Sequence, residues 1–130
     1  MKRKIIIAAF ALSFLFLVSM ICFSTAEVCY ADAPKDVKIE YDSGAQTLTV
    51  TITHKSAFPG FHHIKNVDVK KNAVSVSQNS YSSQPKEVPF SYVYKVAAAP
   101  GDKLDVTVVC NMSGSKTATL TVPAAGNAGK

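Results

Sequence analysis

Hydrophobic and polar residues alternate one for one over much of this chain. Leu48, Val50 and Ile52 alternate with Thr47, Thr49, Thr51 and Thr53, the signature of a strand with one buried and one wet face. The same period predicts further strands at Val37 to Tyr41, Phe61 to Lys70, Ala73 to Ser77, Val88 to Val96, Lys103 to Cys110 and Lys116 to Val122. Turn-forming clusters separate them: Asp42-Ser43-Gly44, Phe58-Pro59-Gly60, Lys71-Asn72, Ser82 to Pro85, Pro100-Gly101-Asp102 and Ser113-Gly114-Ser115. Beyond residue 31 no segment keeps a helical period. About seven short strands with regular turns predict an all-β fold, a single antiparallel sandwich of immunoglobulin type.

The first 31 residues follow a different pattern. A basic start (Lys2, Arg3, Lys4), an apolar run from Ile5 to about Phe23 and small residues after it read as a signal peptide. Ala31 is the favoured cleavage point, with Ala26 as the alternative, and the choice fixes the cysteine content. Cleavage after Ala31 removes Cys22 and Cys29 and leaves Cys110 alone, whereas cleavage after Ala26 keeps Cys29 and admits a disulfide to Cys110. Retention of the run as an anchor, or lipidation at Cys22 or Cys29, are lesser alternatives. The expected organisation is a signal peptide at 1–31, one sandwich domain at 32–122 and a flexible Ala/Gly-rich tail at 123–130. The expected location is periplasmic or extracellular, with no membrane span after cleavage.

Charge narrows the partners. The whole chain carries a formal +5, and removing Lys2, Arg3, Lys4 and Glu27 with the signal lowers this to +3. The remaining lysines are scattered, without arginine or a ladder of aromatic residues between them, so nucleic acid is not expected as a partner. A mild positive field can still attract a small anion. There is no Gly-x-Ser-x-Gly, no Gly-rich loop leading into a helix and no paired carboxylate, which argues against a serine hydrolase, a nucleotide-binding enzyme or a glycosidase.

What chemistry the chain does offer is soft-ligand chemistry. Its three histidines, His54, His62 and His63, lie within T-H-K-S-A-F-P-G-F-H-H-I, and Cys110 closes a strand in V-V-C-N-M-S-G. Imidazoles and a thiolate supplied from strand ends are ligands for a transition metal. Adjacent side chains on a strand face opposite ways, so only one of His62 and His63 is expected to bind. Parity groups His63 with Val67 and Val69, and His62 with Ile64, Asn66 and Asp68; His62 is therefore the expected ligand and His63 a supporting neighbour. The bland alternatives are a buried structural Cys110, which shares parity with Leu104, Val106 and Val108, and a strand-end His54 in the parity of Leu48, Val50 and Ile52. Asn111 is expected to satisfy backbone groups at its strand end.

The segment H-K-S-A-F-P-G-F-H-H-I-K-N-V-D-V, followed by C-N-M-S-G, resembles the iron-binding domain of the desulfoferrodoxin and superoxide reductase family. The likeness covers Val37 to Val122 and consists of a histidine at a strand end, a short loop, a histidine opening the next strand and a late C-N-x-H-G. It implies an immunoglobulin-like sandwich. It also implies a ferrous ion held by four histidine nitrogens and one axial cysteine sulfur, which reduces superoxide with electrons from a donor that the sequence does not identify. His54, His62 and Cys110 match three of those ligands. Ser113 stands where the family has the histidine of C-N-x-H-G, and the K-H-x-P loop before the sandwich has no counterpart. Three histidines cannot supply four imidazoles, so the expectation is a partial iron site at His54, His62 and Cys110, with His63 beside it; a homodimer is one source of a further ligand. Copper or zinc on the same residues, with Met112 nearby for copper, is the second expectation. A binding module that has lost its metal is the third.

Overall fold

The computed structural model describes residues 33–124. The expected signal peptide, with Cys22 and Cys29, falls outside them, as does the expected tail from residue 125 onward. Among the described residues there are seven strands and no helix: β1 (Asp36–Asp42), β2 (Thr47–Thr53), β3 (Ile64–Lys71), β4 (Val74–Ser80), β5 (Phe90–Lys95), β6 (Lys103–Cys110) and β7 (Ser115–Thr121).

All pairings are antiparallel. One sheet has the order β1-β2-β5 and the other β4-β3-β6-β7. The chain crosses between sheets after β2, after β4 and after β5, the Greek-key pattern of an immunoglobulin-like sandwich. Inward-facing residues of both sheets form one core, led by Leu48, Val50 and Ile52 from β2, Val67 and Val69 from β3, and Leu104, Val106 and Val108 from β6. These strands carry the strict alternation that the sequence displays, and burial of one face is what holds their register.

Most strand ends shift by a residue or so from the sequence expectation, and β4 runs on to Ser80 where Ser77 was expected; three of the differences have a plain local reason. β3 begins at Ile64 and not Phe61, because the N–H groups of Phe61 and His62 both turn back to the Phe58 carbonyl at 2.9 and 2.8 Å. Lys71 pairs with Val74, so Asn72 and Ala73 form a two-residue hairpin loop with φ of 50° and 69°; Ala73 lies in the turn, not in β4, and this loop geometry matches the strand twist. β5 begins at Phe90 and not Val88, since Pro89 has no N–H for the ladder.

A fourth difference bears on the site. Ile64 pairs with Cys110 while Asn66 pairs with Val109, so Lys65 is an extra residue in β3. That bulge reverses the side-chain parity behind it. Ile64 is therefore buried with Val67 and Val69 and does not share a face with Asn66 and Asp68 as simple alternation predicts.

The registers also fix which loops share an end. Ile52 faces Phe90, Asn66 faces Ser80 and Ile64 faces Cys110. The β2–β3 loop, the β4–β5 connection and the β6–β7 turn therefore gather at one end of the sandwich.

Candidate metal centre

Each of the three expected ligands sits where a strand meets that end. His54 follows β2 directly and continues its inward parity; it is fully buried, at 0% exposure. Cys110 is the last residue of β6 and is 4% exposed on the same inward parity. His62 comes from the turn before β3 and is half-buried. Potential ligand atoms of His54, His62 and Cys110 all lie within 4.8 Å of one another.

The separations suit a shared ion. Nε2 of His62 is 3.1 Å from Sγ of Cys110. A nitrogen at about 2.0 Å and a sulfur at about 2.3 Å from one ion are roughly 3.1 Å apart at a right angle and roughly 3.5 Å apart at the tetrahedral angle. The rings of His54 and His62 meet edge to face, centroids 4.7 Å apart at 75°. Two imidazoles and a thiol converging in a largely buried corner can hold a transition metal, and nothing in the donor set favours a hard cation such as Mg²⁺ or Ca²⁺.

The surroundings fix the three candidate ligands in place. The N–H of Met112 approaches Sγ of Cys110 at 3.4 Å, and the N–H of Cys110 bonds the Gly114 carbonyl at 3.0 Å. Gly114 has φ +63°, and a Cβ there would lie 2.8 Å from that of Ala33, so both conformation and space favour glycine at this turn. Asn111 acts as a latch on the His62 loop. Its Oδ1 accepts the His63 N–H at 2.9 Å, its Nδ2 donates to the Phe61 carbonyl at 2.8 Å, and its N–H donates to the His63 carbonyl at 3.0 Å. This is the backbone-satisfying role expected of it.

His63 turns away from the cluster. It is 9% exposed, and its Nε2 lies 3.1 Å from the Tyr81 carbonyl, to which it donates. Its Nδ1 is buried without a hydrogen-bond partner among the described residues. Tyr81 stacks on Tyr92 with centroids 4.3 Å apart, and its hydroxyl meets that of Tyr94 at 2.7 Å. Burial, followed by that hydroxyl contact, pushes the Tyr94 phenol far above its ordinary range. Met112, considered as a copper ligand from the sequence, meets Cys110 through its backbone, and the residue is 53% exposed. Phe58 and Phe61 are exposed in the loop that carries His62.

One contributor escapes the sequence pattern entirely. Gln84, in the β4–β5 connection, is buried, and its Oε1 lies 2.6 Å from Nδ1 of His54. Its Oε1 also accepts the Ile64 N–H at 3.1 Å, and its Nε2 donates to the His54 carbonyl at 2.8 Å. No alternation or motif marks a glutamine in a Ser/Pro-rich loop. Its sole sequence signal is position, in the β4–β5 connection, which crosses between sheets at the end where β2 stops.

Comparison of the sequence with known protein families and with curated proteins finds no match.

Proposed function

We propose that this protein is an exported, metal-binding β-sandwich of the desulfoferrodoxin type, holding one iron ion between His54, His62 and Cys110. The observation that carries the reading is the convergence of those three side chains, which are separated by up to 56 positions in sequence, within 4.8 Å at one end of the sandwich.

Bound there, iron would supply one-electron exchange with a small oxidant such as superoxide, fed by an unidentified electron donor. The chain supplies the rest. His54 and His62 each offer a ring nitrogen, and Cys110 offers sulfur with the Met112 N–H directed at it. The core behind His54 and Cys110 excludes water from the inner side, while half-buried His62 faces the outside. With three donors from the chain, an iron ion keeps positions for water or a small anion, at the cost of weaker binding than a five-ligand site.

A second reading takes the three donors as complete. Two imidazoles and one thiolate are the equatorial set of a trigonal copper site, and zinc accepts the same residues with water as the fourth ligand. The readings separate by colour: an iron–thiolate band after oxidation, an intense blue for copper, no visible band for zinc. The redox proposal itself is tested by mixing the ferrous, anaerobic protein with superoxide. Oxidation of the iron in wild type and its loss in Cys110→Ser support it, and an iron-loaded protein inert to superoxide rejects it.

A further inference from the structure

We infer that Gln84 is a positioning residue for the metal centre: it holds His54 as the tautomer protonated on Nδ1 and so makes Nε2 the nitrogen that binds the ion. The inference rests on the metal-binding reading above, but its first half stands on hydrogen-bond direction alone.

A carboxamide has one accepting end and one donating end. At Gln84 both ends are identified by backbone groups with a fixed role. The Ile64 N–H can only donate, and it lies 3.1 Å from Oε1; the His54 carbonyl can only accept, and it lies 2.8 Å from Nε2. Rotating the amide by half a turn would set donor against donor and acceptor against acceptor at buried positions, where each unmade bond is costly. Oε1 is therefore the atom 2.6 Å from Nδ1 of His54. An amide oxygen cannot donate, so Nδ1 carries the proton. A neutral imidazole has one N–H and one lone pair, which leaves the lone pair on Nε2.

Placement turns this local fact into a device. His54 is fully buried and Gln84 is 7% exposed, so solvent does not compete for Nδ1. The Gln84 N–H also reaches the Pro59 carbonyl at 3.3 Å, within the loop that carries His62. One side chain and its backbone thus tie together the end of β2, the His62 loop and the start of β3. The partner of one ring nitrogen decides which nitrogen is metallated and how the ring is aimed. Here that partner is a neutral amide, which orients His54 without adding charge to the site.

The two ends of the amide can be tested separately. Gln84→Glu keeps an oxygen opposite Nδ1 and removes the N–H₂ donor to the His54 carbonyl; Gln84→Met removes both. Long-range ¹H–¹⁵N correlation spectra of the metal-free, natively processed protein read the His54 tautomer directly, under conditions where the ring is neutral. Anaerobic titration with Fe(II) reads affinity. The expected result is an Nδ1-protonated His54 in wild type and in Gln84→Glu, and a shift toward Nε2 protonation in Gln84→Met. Affinity is expected to stay near wild type for Gln84→Glu and to fall roughly 10- to 100-fold for Gln84→Met. Nε2 protonation in metal-free wild type overturns the tautomer assignment. Equal loss of affinity in both variants overturns the positioning role and leaves Gln84 a backbone anchor. The expected tautomer in a wild-type protein that binds none of Fe(II), Cu(II) or Zn(II) overturns the metal-binding reading, and the positioning role with it, but not the tautomer.

Discussion

Nε2 of His62 lies 3.1 Å from Sγ of Cys110, although one residue belongs to a turn before β3 and the other ends β6. The contact follows from the sheet register. Ile64 pairs with Cys110, so the residue two places before Ile64 is carried back over the end of β6 by the Phe58–His62 turn. A site built this way depends on its turns as much as on the three side chains it gathers.

Cys110→Ser keeps the shape of the inward face of β6 and replaces a soft donor with a hard one. Its cost to the fold is expected to be small, about 1 kcal/mol, because a single hydroxyl is buried near existing donors. Metal content and any thiolate band are expected to vanish while the circular dichroism spectrum is unchanged. Retention of the band would assign the sulfur ligand elsewhere.

The two adjacent histidines are expected to behave oppositely. His62→Ala removes a ligand from a half-buried turn and should abolish or strongly weaken metal binding with a small change in melting temperature. His63→Ala removes a buried ring and its bond to the Tyr81 carbonyl, an expected loss of about 2 kcal/mol with metal stoichiometry retained. Paired thermal melts and metal analyses decide between this division and its reverse.

Gly114 and Ala73 test the turns. Gly114→Ala places a side chain at φ +63° with its Cβ 2.8 Å from that of Ala33, and is expected to destabilise by about 1–2 kcal/mol while weakening metal binding through the Cys110 turn. Ala73→Gly relieves a residue at φ 69° at the opposite end of the sandwich. It is expected to stabilise the fold by about 1 kcal/mol without altering the metal site. Denaturant titrations of both variants, with and without metal, provide the check.

Alkaline pH should expose the tyrosine cluster. Burial, and then Tyr81, raise the phenol pKa values of Tyr92 and Tyr94 above the ordinary value of 10.0. Above pH 10 the unfolded chain therefore releases these protons while the folded protein keeps them, so stability is full below that pH and falls as pH rises. Tyr94→Phe removes one such proton and should flatten the decline between pH 9 and pH 11, measured as the midpoint of denaturant unfolding. An identical slope in both proteins would show that Tyr94 does not contribute.

Much of this architecture is legible in the alternation of residues. Leu48, Val50, Ile52 and then His54 form one unbroken parity, as do Leu104, Val106, Val108 and Cys110, so the inward direction of two candidate ligands follows from the same pattern that defines the core. The third does not. His62 faces the site because β3 starts late and bulges at Lys65, and a bulge leaves no mark on composition. The expected choice of His62 over His63 agrees with the cluster, but the parity argument behind it placed Ile64 on the wrong face. Gln84 was illegible for a different reason: its role comes from long-range contacts of a loop residue, which no local period encodes.

The central claim is that His54, His62 and Cys110 bind a metal, and the most direct test is metal analysis of the natively processed protein, purified without a histidine tag beside Cys110→Ser. The account predicts close to one iron per chain in wild type and none in the variant. Absence of bound metal from both proteins, or equal metal in both, would contradict it.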